Sequence, residues 1–461
     1  MSAAGRGAPQ APAPGVPAET ESLGSRAVLS IAVPVMLSNV TTPLIGVVDT
    51  AIIGRIPDPA YIGAVAVGAL LFTSLFWAFG FLRMATSGLA AQALGARDSD
   101  ELAATLHRSL LIALVAGMLL IALQWPIREV GFRLIGASAQ VESLSRGYFD
   151  IRIWAAPATL VNFALLGWFI GRGRADLALL LQLMLNLVNI ALDALFVLGF
   201  GWGVRGVAAG TLIAELGAAA AGVAIAVRHL RALPGGAAAG SLRWSRASVW
   251  ARQRLRRTLA VNSDLMLRSL ALIAVVGWFA AQGARQGDVV LAANAVLMHF
   301  VMVAAYFLDG LAFAAEALVG RAVGARDRLR FAVACRLTTG WAFAVAALLS
   351  ALAWLAGPAL IDLLTVDAAT RQTARNYLPW AAFSPLLGVW AFQLDGIFVG
   401  ATRSGEMRNA MLLSLAIFIA GWWLLTPFGN HGLWAALYVH YVARIATLAR
   451  HYPALLRTVA A

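Results

Sequence analysis

Residues 61–98 read YIGAVAVGALLFTSLFWAFGFLRMATSGLAAQALGARD. Apart from Arg83, this is an apolar run long enough to cross a bilayer, and Gly95-Ala96-Arg97-Asp98 closes it. Much later a second long apolar run closes the same way. Ala322-Val323-Gly324-Ala325-Arg326-Asp327 answers Ala93-Leu94-Gly95-Ala96-Arg97-Asp98 at a spacing of 229 (324 − 95). Gly167-Trp168-Phe169-Ile170-Gly171 and Gly396-Ile397-Phe398-Val399-Gly400 repeat at 229 again (400 − 171). A looser pair, Gly206-Val207-Ala208-Ala209 and Gly432-Leu433-Trp434-Ala435, lies 226 apart. Small residues are abundant, so one match would mean little. Three matches in one order imply duplication of a single unit.

The composition says what the unit is made of. The chain has 461 residues, 61% hydrophobic and 12% charged. A soluble domain carries about 25% charged residues, so this is neither a water-soluble nor a disordered protein. Apolar runs recur at 26–54, 61–93, 101–125, 148–171, 176–200, 206–230, 258–282, 289–320, 330–356, 376–400, 409–426 and 432–450. The fold expected is all-α: twelve transmembrane helices in two pseudo-symmetric six-helix lobes. The strand alternation of a transmembrane barrel is missing. Six spans per unit keep both halves in one orientation, related by an axis along the membrane normal, with a cavity between them. That is a transporter architecture. The expected division is a disordered tail over 1–24, an N-terminal lobe over 25–230, a basic linker over 231–257 and a C-terminal lobe over 258–461.

Net charge is +13, and the chain has no lysine. That removes a P-loop lysine and with it an ATP-driven pump. With the N-terminus inside, seventeen arginines fall in inside loops, among them Arg97, Arg172, Arg326, Arg403 and the run Arg252, Arg254, Arg256 and Arg257. Eight fall outside, such as Arg55, Arg128 and Arg146. The positive-inside rule then places both termini in the cytoplasm and accounts for the basic balance without nucleic acid. A single cysteine, Cys335, excludes a disulfide framework and a cysteine-built zinc site. Gly201-x-Gly203-x-x-Gly206 has no βαβ unit around it, and the six histidines form no metal motif.

A charge at lipid depth costs about 2.5–3.5 kcal/mol on insertion scales, so acids inside spans need a reason. Asp49 lies five residues before Gly54 in the first span, about 8 Å below the outer end. Pro34 and Pro43 in the same helix can bend it. Asn189 and Asp193 share a face of the fifth span. Asp193 and Thr211 each lie nine residues from Trp202 in the hairpin, hence at one depth, at most about 13 Å from the turn. Asp49, Asn189, Asp193 and Thr211 are therefore the candidate cation or proton site, with a possible Na⁺ as its only metal. Glu215, one turn beyond Thr211, can extend a proton path or pair with an arginine. Asp309 and Asp395, in the echoing Leu308-Asp309-Gly310 and Leu394-Asp395-Gly396, can line the cavity or pair with arginine. Glu316 stands near an inside end, Arg83 is expected to snorkel inward, and Asp264 and Arg268 are expected to form an i, i+4 ion pair.

These residues resemble a known family. Pro34-Val35-Met36 through Val48-Asp49-Thr50-Ala51-Ile52-Ile53-Gly54, the two Gly-Ala-Arg-Asp closures, and Asp395-Gly396-Ile397-Phe398-Val399-Gly400-Ala401-Thr402 are similar to the DinF branch of the MATE (multidrug and toxic compound extrusion) transporters. The likeness covers roughly 26–450. It implies a V of two six-helix lobes that opens to alternate sides, exporting organic, often cationic compounds in exchange for H⁺ or Na⁺. It carries the family's first-span aspartate onto Asp49, its fifth-span asparagine and aspartate onto Asn189 and Asp193, and its sixth-span threonine onto Thr211. Some branches place coupling acids in the C-terminal lobe. Asp395 matches one of these, but their seventh-span glutamate has no counterpart between Thr258 and Gln282.

The expectation is a secondary antiporter rather than an enzyme, with no cofactor beyond the coupling ion. It is expected to work as a monomer in a bacterial inner membrane, its partners being the bilayer and a small organic substrate. The competing reading is a flippase for a lipid-linked precursor. An acidic pyrophosphate would call for cavity arginines, and the embedded acids point the other way.

Overall fold

A computed structural model describes residues 23–232 and 249–460. These residues form sixteen α-helices and no strand. The first half holds α1 (Ser25–Ile53), α2 (Pro59–Trp77), α3 (Phe81–Gly95), α4 (Ser99–Ala122), α5 (Gln124–Ile135), α6 (Ala139–Arg152), α7 (Ala156–Gly171), α8 (Ala175–Asp193) and α9 (Gly203–Arg231). The second holds α10 (Arg252–Ala284), α11 (Asp288–Gly324), α12 (Arg328–Leu364), α13 (Ala368–Gly400), α14 (Ser404–Leu425), α15 (Gly429–Ala449) and α16 (Tyr452–Ala460).

Eleven stretches are long and apolar enough to cross a membrane. The last, Ser404–Val459, contains both α14 and α15, which pack side by side after a turn at Thr426–Phe428. Counting those two separately gives the twelve crossings expected. The α2–α3 and α6–α7 pairs each make one crossing. The loop expected between spans three and four is instead helical. Gly136, in the left-handed region at φ 67°, ends α5, and Ser138 caps α6. Charge hid these turns from an apolar-run reading. Arg146 bonds Glu129 at 2.6 Å and Glu142 at 2.8 Å, and its guanidinium holds the Glu129 carboxyl down at about 2. The expected tail 1–24 and linker 231–257 fall mostly outside the described residues. The end of the linker, from Arg252, is the first turn of α10.

The outer surface faces lipid. On α4, Leu111, Leu114, Val115, Met118 and Leu119 form an exposed apolar stripe at helical spacing. Lipid tails give apolar side chains no reason to prefer the interior, so close helix packing rests on small residues that let backbones meet. Gly171 leaves room for the Ser87 carbonyl at 2.4 Å from where a Cβ would sit only because that Cβ is missing, and Gly400 does the same for Glu316. Residues 87 and 316, like 171 and 400, are 229 apart, so the duplicated sequence is a duplicated packing. The Gly-Ala-Arg-Asp closures also repeat in three dimensions. Arg97 and Arg326 both adopt the left-handed region, at φ 56° and 54°. Asp98 and Asp327 then cap the following helices, accepting from Glu101 N at 2.8 Å and Arg330 N at 2.9 Å.

The two copies of this motif pack on each other. A Cβ on Gly95 would overlap the Arg321 carbonyl, and one on Gly324 would overlap the Gln92 carbonyl. Gln92 Nε2 donates to Gly400 O at 2.9 Å, and Arg257 Nη2 donates to Gln92 Oε1 at 2.7 Å. Arg254 Nη1 reaches Glu101 Oε2 at 2.6 Å. Deeper, Gly310 of α11 meets Ala32 and Met36 of α1, and Asn39 Nδ2 donates to Tyr306 O at 3.2 Å. The half-span α3 packs on α10, α11 and α13, whereas α2 packs on α1, α6 and α9 of its own half. The halves thus meet at the arginine-rich end. Gly95→Val should wedge that closed end apart. In a Cys335→Ser background, spin labels at Ala96→Cys and Ala325→Cys should report a longer distance in the Gly95→Val protein than in its parent.

Candidate functional site

The four residues chosen for the cation site come together. Asp49 is on α1, Asn189 and Asp193 on α8, and Thr211 on α9; all four are buried. The Asp49 and Asp193 carboxyls meet. Oδ1 of each has no hydrogen-bond partner among the described residues. Asn189 Nδ2 donates to Asp193 Oδ2 at 3.0 Å and to Thr211 Oγ1 at 3.2 Å, while Thr211 Oγ1 donates to Val207 O at 3.0 Å. The amide therefore turns its nitrogen, not the oxygen expected for a cation ligand, toward the acids. Immediately after Asp193 the helix widens into a π-helical turn, Ala194–Gly199. Such turns displace backbone bonds and often mark functional positions. α1 runs unbroken through Pro34 and Pro43. Proline lacks a backbone donor, so the helix is weakest just below Asp49.

Glu215 is neither isolated nor salt-bridged. Asn162 Nδ2 donates to Glu215 Oε2 at 2.7 Å and to Glu215 O at 3.1 Å. Arg152, which sequence reasoning passed over, acts electrostatically on Asp49, Asp193 and Glu215 together. Its guanidinium lies over the Phe72 ring at 5.2 Å, and its Nη1 donates to Tyr148 Oη at 3.0 Å. The signal was available, since Arg152 is a charge inside the apolar run 148–171. Three acids around one arginine leave this cluster formally negative.

The C-terminal acids are arranged otherwise. Asp395 accepts from both Arg268 and Arg444. It is thus outnumbered by arginines and does not stand free to line a cavity. This corrects the expected Asp264–Arg268 pair. Asp264 instead bonds Arg408 Nη1 at 2.6 Å and Ser404 Oγ at 2.8 Å, both from α14. Helical spacing brings i and i+4 side chains near each other, but partners on neighbouring helices took both. Asp309 is half-buried on α11, with Arg83, Arg268, Asp395 and Arg444 as its charged surroundings. Arg83 does not snorkel to the surface. Its guanidinium stacks over Phe313 of α11 at 4.2 Å. Among the described residues, no group of three or more His, Cys, Asp or Glu is arranged to hold a metal ion.

Residues 34–195 and 265–424 each match the MatE family. The ends of the two matches, 195 and 424, are once more 229 apart, one family copy per half. The chain belongs to the MatE family. This MATE transporter is 42% identical to DNA damage-inducible protein F of Escherichia coli K12 over 424 residues, covering 92% of this chain and 91% of that protein. It is 26% identical to the probable multidrug resistance protein NorM of Rhizobium meliloti 1021, covering 95% and 94%. A solved structure of a MATE in the bent conformation superposes with a TM-score of 0.82 at 20% identity, covering 95% of this chain and 97% of that one. The DinF-branch resemblance and the two-lobed helical fold therefore both hold for this multi-pass membrane transporter.

Removing one partner of a buried ion cluster strands the others, a loss of about 3–5 kcal/mol. Asp395→Asn should therefore lower thermal stability strongly in detergent. Asp49→Asn, which breaks no arginine salt bridge, should lower it far less in the same melting assay.

Proposed function

We propose that this MATE protein is a secondary antiporter that exports organic, cationic compounds in exchange for H⁺ or Na⁺ by alternating access. The arginine-rich end is then cytoplasmic, both termini lie there, and the membrane is a bacterial inner membrane.

One observation carries the reading: two lipid-depth carboxyls, Asp49 of α1 and Asp193 of α8, meet with one nearby arginine, and α1 is weakened by two prolines. Ion loading there changes a charge that α1 and α8 share, and a proline-containing α1 can answer by bending. Coupling requires ion and cargo to favour different states. Loading from the outside favours release of cargo, and unloading favours the state that binds it. The direct carboxyl–carboxyl contact, and Asn189 acting as a donor, support a proton over Na⁺ as the coupling ion. The name of the R. meliloti relative, a probable multidrug resistance protein, supports an export role, and the N-terminal acids support cationic cargo over a pyrophosphate-linked lipid. The embedded arginines do not favour the flippase, because Arg268 and Arg444 are already committed to Asp395.

The test is dye efflux from vesicles with a Na⁺ gradient and a pH gradient imposed separately. A pH gradient alone should drive efflux. Asp49→Asn and Asp193→Asn should each cut gradient-driven efflux at least tenfold while leaving the folded protein in the membrane. Full efflux by either variant would refute the assignment.

A further inference from the structure

Arg83 of the N-terminal half inserts its charge into the packing of the other half at lipid depth. Asp309, Phe313 and Glu316 recur at i, i+4 and i+7, so they form one stripe along α11. Arg83 of α3 lies on that stripe. Its guanidinium carbon sits 4.2 Å from the Phe313 ring centre, and Asp309 and Glu316 are the acids whose charge acts on it. Arg83 and Asp309 are half-buried, while Phe313 and Glu316 are buried. Glu316 is 1% exposed, lies beside the Ser87 hydroxyl, and its Oε1 has no hydrogen-bond partner among the described residues.

The charges around the stripe add a second argument. Asp309 is surrounded by Arg83, Arg268, Asp395 and Arg444, and Tyr306 stands near it. Glu316 is surrounded by Arg83, Arg268, Asp309 and Ser87. His440 lies near Arg444 and Asp395. Among the described residues of the C-terminal half, the arginines whose charges act on Asp309, Glu316 and Asp395 are Arg268 and Arg444, and both bond Asp395. That leaves one formal negative charge, which Arg83 of the other half completes. Lipid offers nothing to replace it.

We propose that the Asp309–Phe313–Glu316 stripe is a docking site for a planar organic monocation, and that Arg83 occupies it as a tethered stand-in when the arginine-rich end is closed. The proposal deepens the export reading above and rests on it. Opening that end carries α3 away from α11 and takes Arg83 with it. The stripe then presents an aromatic face between two acids and one unmatched negative charge to the opened side. A guanidinium is flat, delocalised and weakly hydrated, and cargo of that kind, an aromatic ammonium or amidinium, meets the same surface by the same cation–π and charge contacts. When the end closes again, Arg83 returns and competes the cargo off the stripe. The cargo thus favours one state and the internal arginine the other, as exchange requires.

The experiment is equilibrium binding of ethidium, a planar monocation, to the purified full chain in nanodiscs, followed by fluorescence. The neutral parent ring phenanthridine serves as the second probe. Asp309→Asn and Glu316→Gln should each weaken ethidium at least tenfold and leave phenanthridine unchanged. Phe313→Leu should weaken ethidium several-fold. Arg83→Gln should tighten ethidium several-fold, because it removes the internal competitor; a misfolded variant cannot produce that gain. Wild-type binding retained by Asp309→Asn and Glu316→Gln together would overturn this site and leave the export reading standing. So would weaker ethidium binding by Arg83→Gln, or unchanged binding with lost proton-driven efflux in Glu316→Gln. If the wild-type chain binds no ethidium, the cationic-cargo reading itself falls and this site falls with it.

Discussion

Lipid has no partner to offer a charge, and that constraint organises this molecule. Each ionisable group at bilayer depth must find its counterpart within the protein or remain a standing electrostatic imbalance. The two halves answer differently. The C-terminal half satisfies Asp395 twice, with Arg268 and Arg444, and fixes Asp264 with Arg408 and Ser404. The N-terminal half places Asp49, Asp193 and Glu215 around Arg152 and leaves carboxylate oxygens without donors. A matched cluster holds helices together; an unmatched one invites a mobile ion. Duplication built two similar frames that distribute their charges differently.

The same constraint explains why small residues line the contact between the halves. The closure at the arginine-rich end is two copies of one helix end lying on each other, Gly95 against Arg321 and Gly324 against Gln92. Backbone contact gains dispersion energy over many atoms without demanding a fixed polar partner. Such a surface can separate without stranding many charges. Of the polar exceptions, Gln92, Arg254 and Arg257 sit at the edge, where water can take over their bonds. Arg83 lies deeper and is the costly exception.

Much of this was legible along the chain, for specific reasons. Helices in lipid must run about 20 apolar residues, so their number and order could be counted directly. The repeat showed itself because glycine positions tolerate no substitute where carbonyls touch, which preserved the spacing of 229 between 171 and 400. Asp49, Asn189, Asp193 and Thr211 were found because an acid inside an apolar run is rare, and hairpin arithmetic gives its depth. The amphipathic α5 escaped the same reading, since its charges broke the apolar pattern that reveals a spanning helix. Arg152 escaped too, although it met the same criterion as the acids.

Partnership was another matter. Sequence spacing assigns depth and helix face, both local properties of a regular helix. Which side chain meets which is set by rotation of each helix against its neighbours. That is why Arg268 turned from Asp264 to Asp395, why Asn189 presents its nitrogen to Asp193, and why Arg83 lies on Phe313 instead of rising to the surface. A linear chain carries the charges and their levels in the membrane. Only the packed bundle decides which of them cancel, because cancellation needs a few ångström of approach between helices that the sequence keeps far apart.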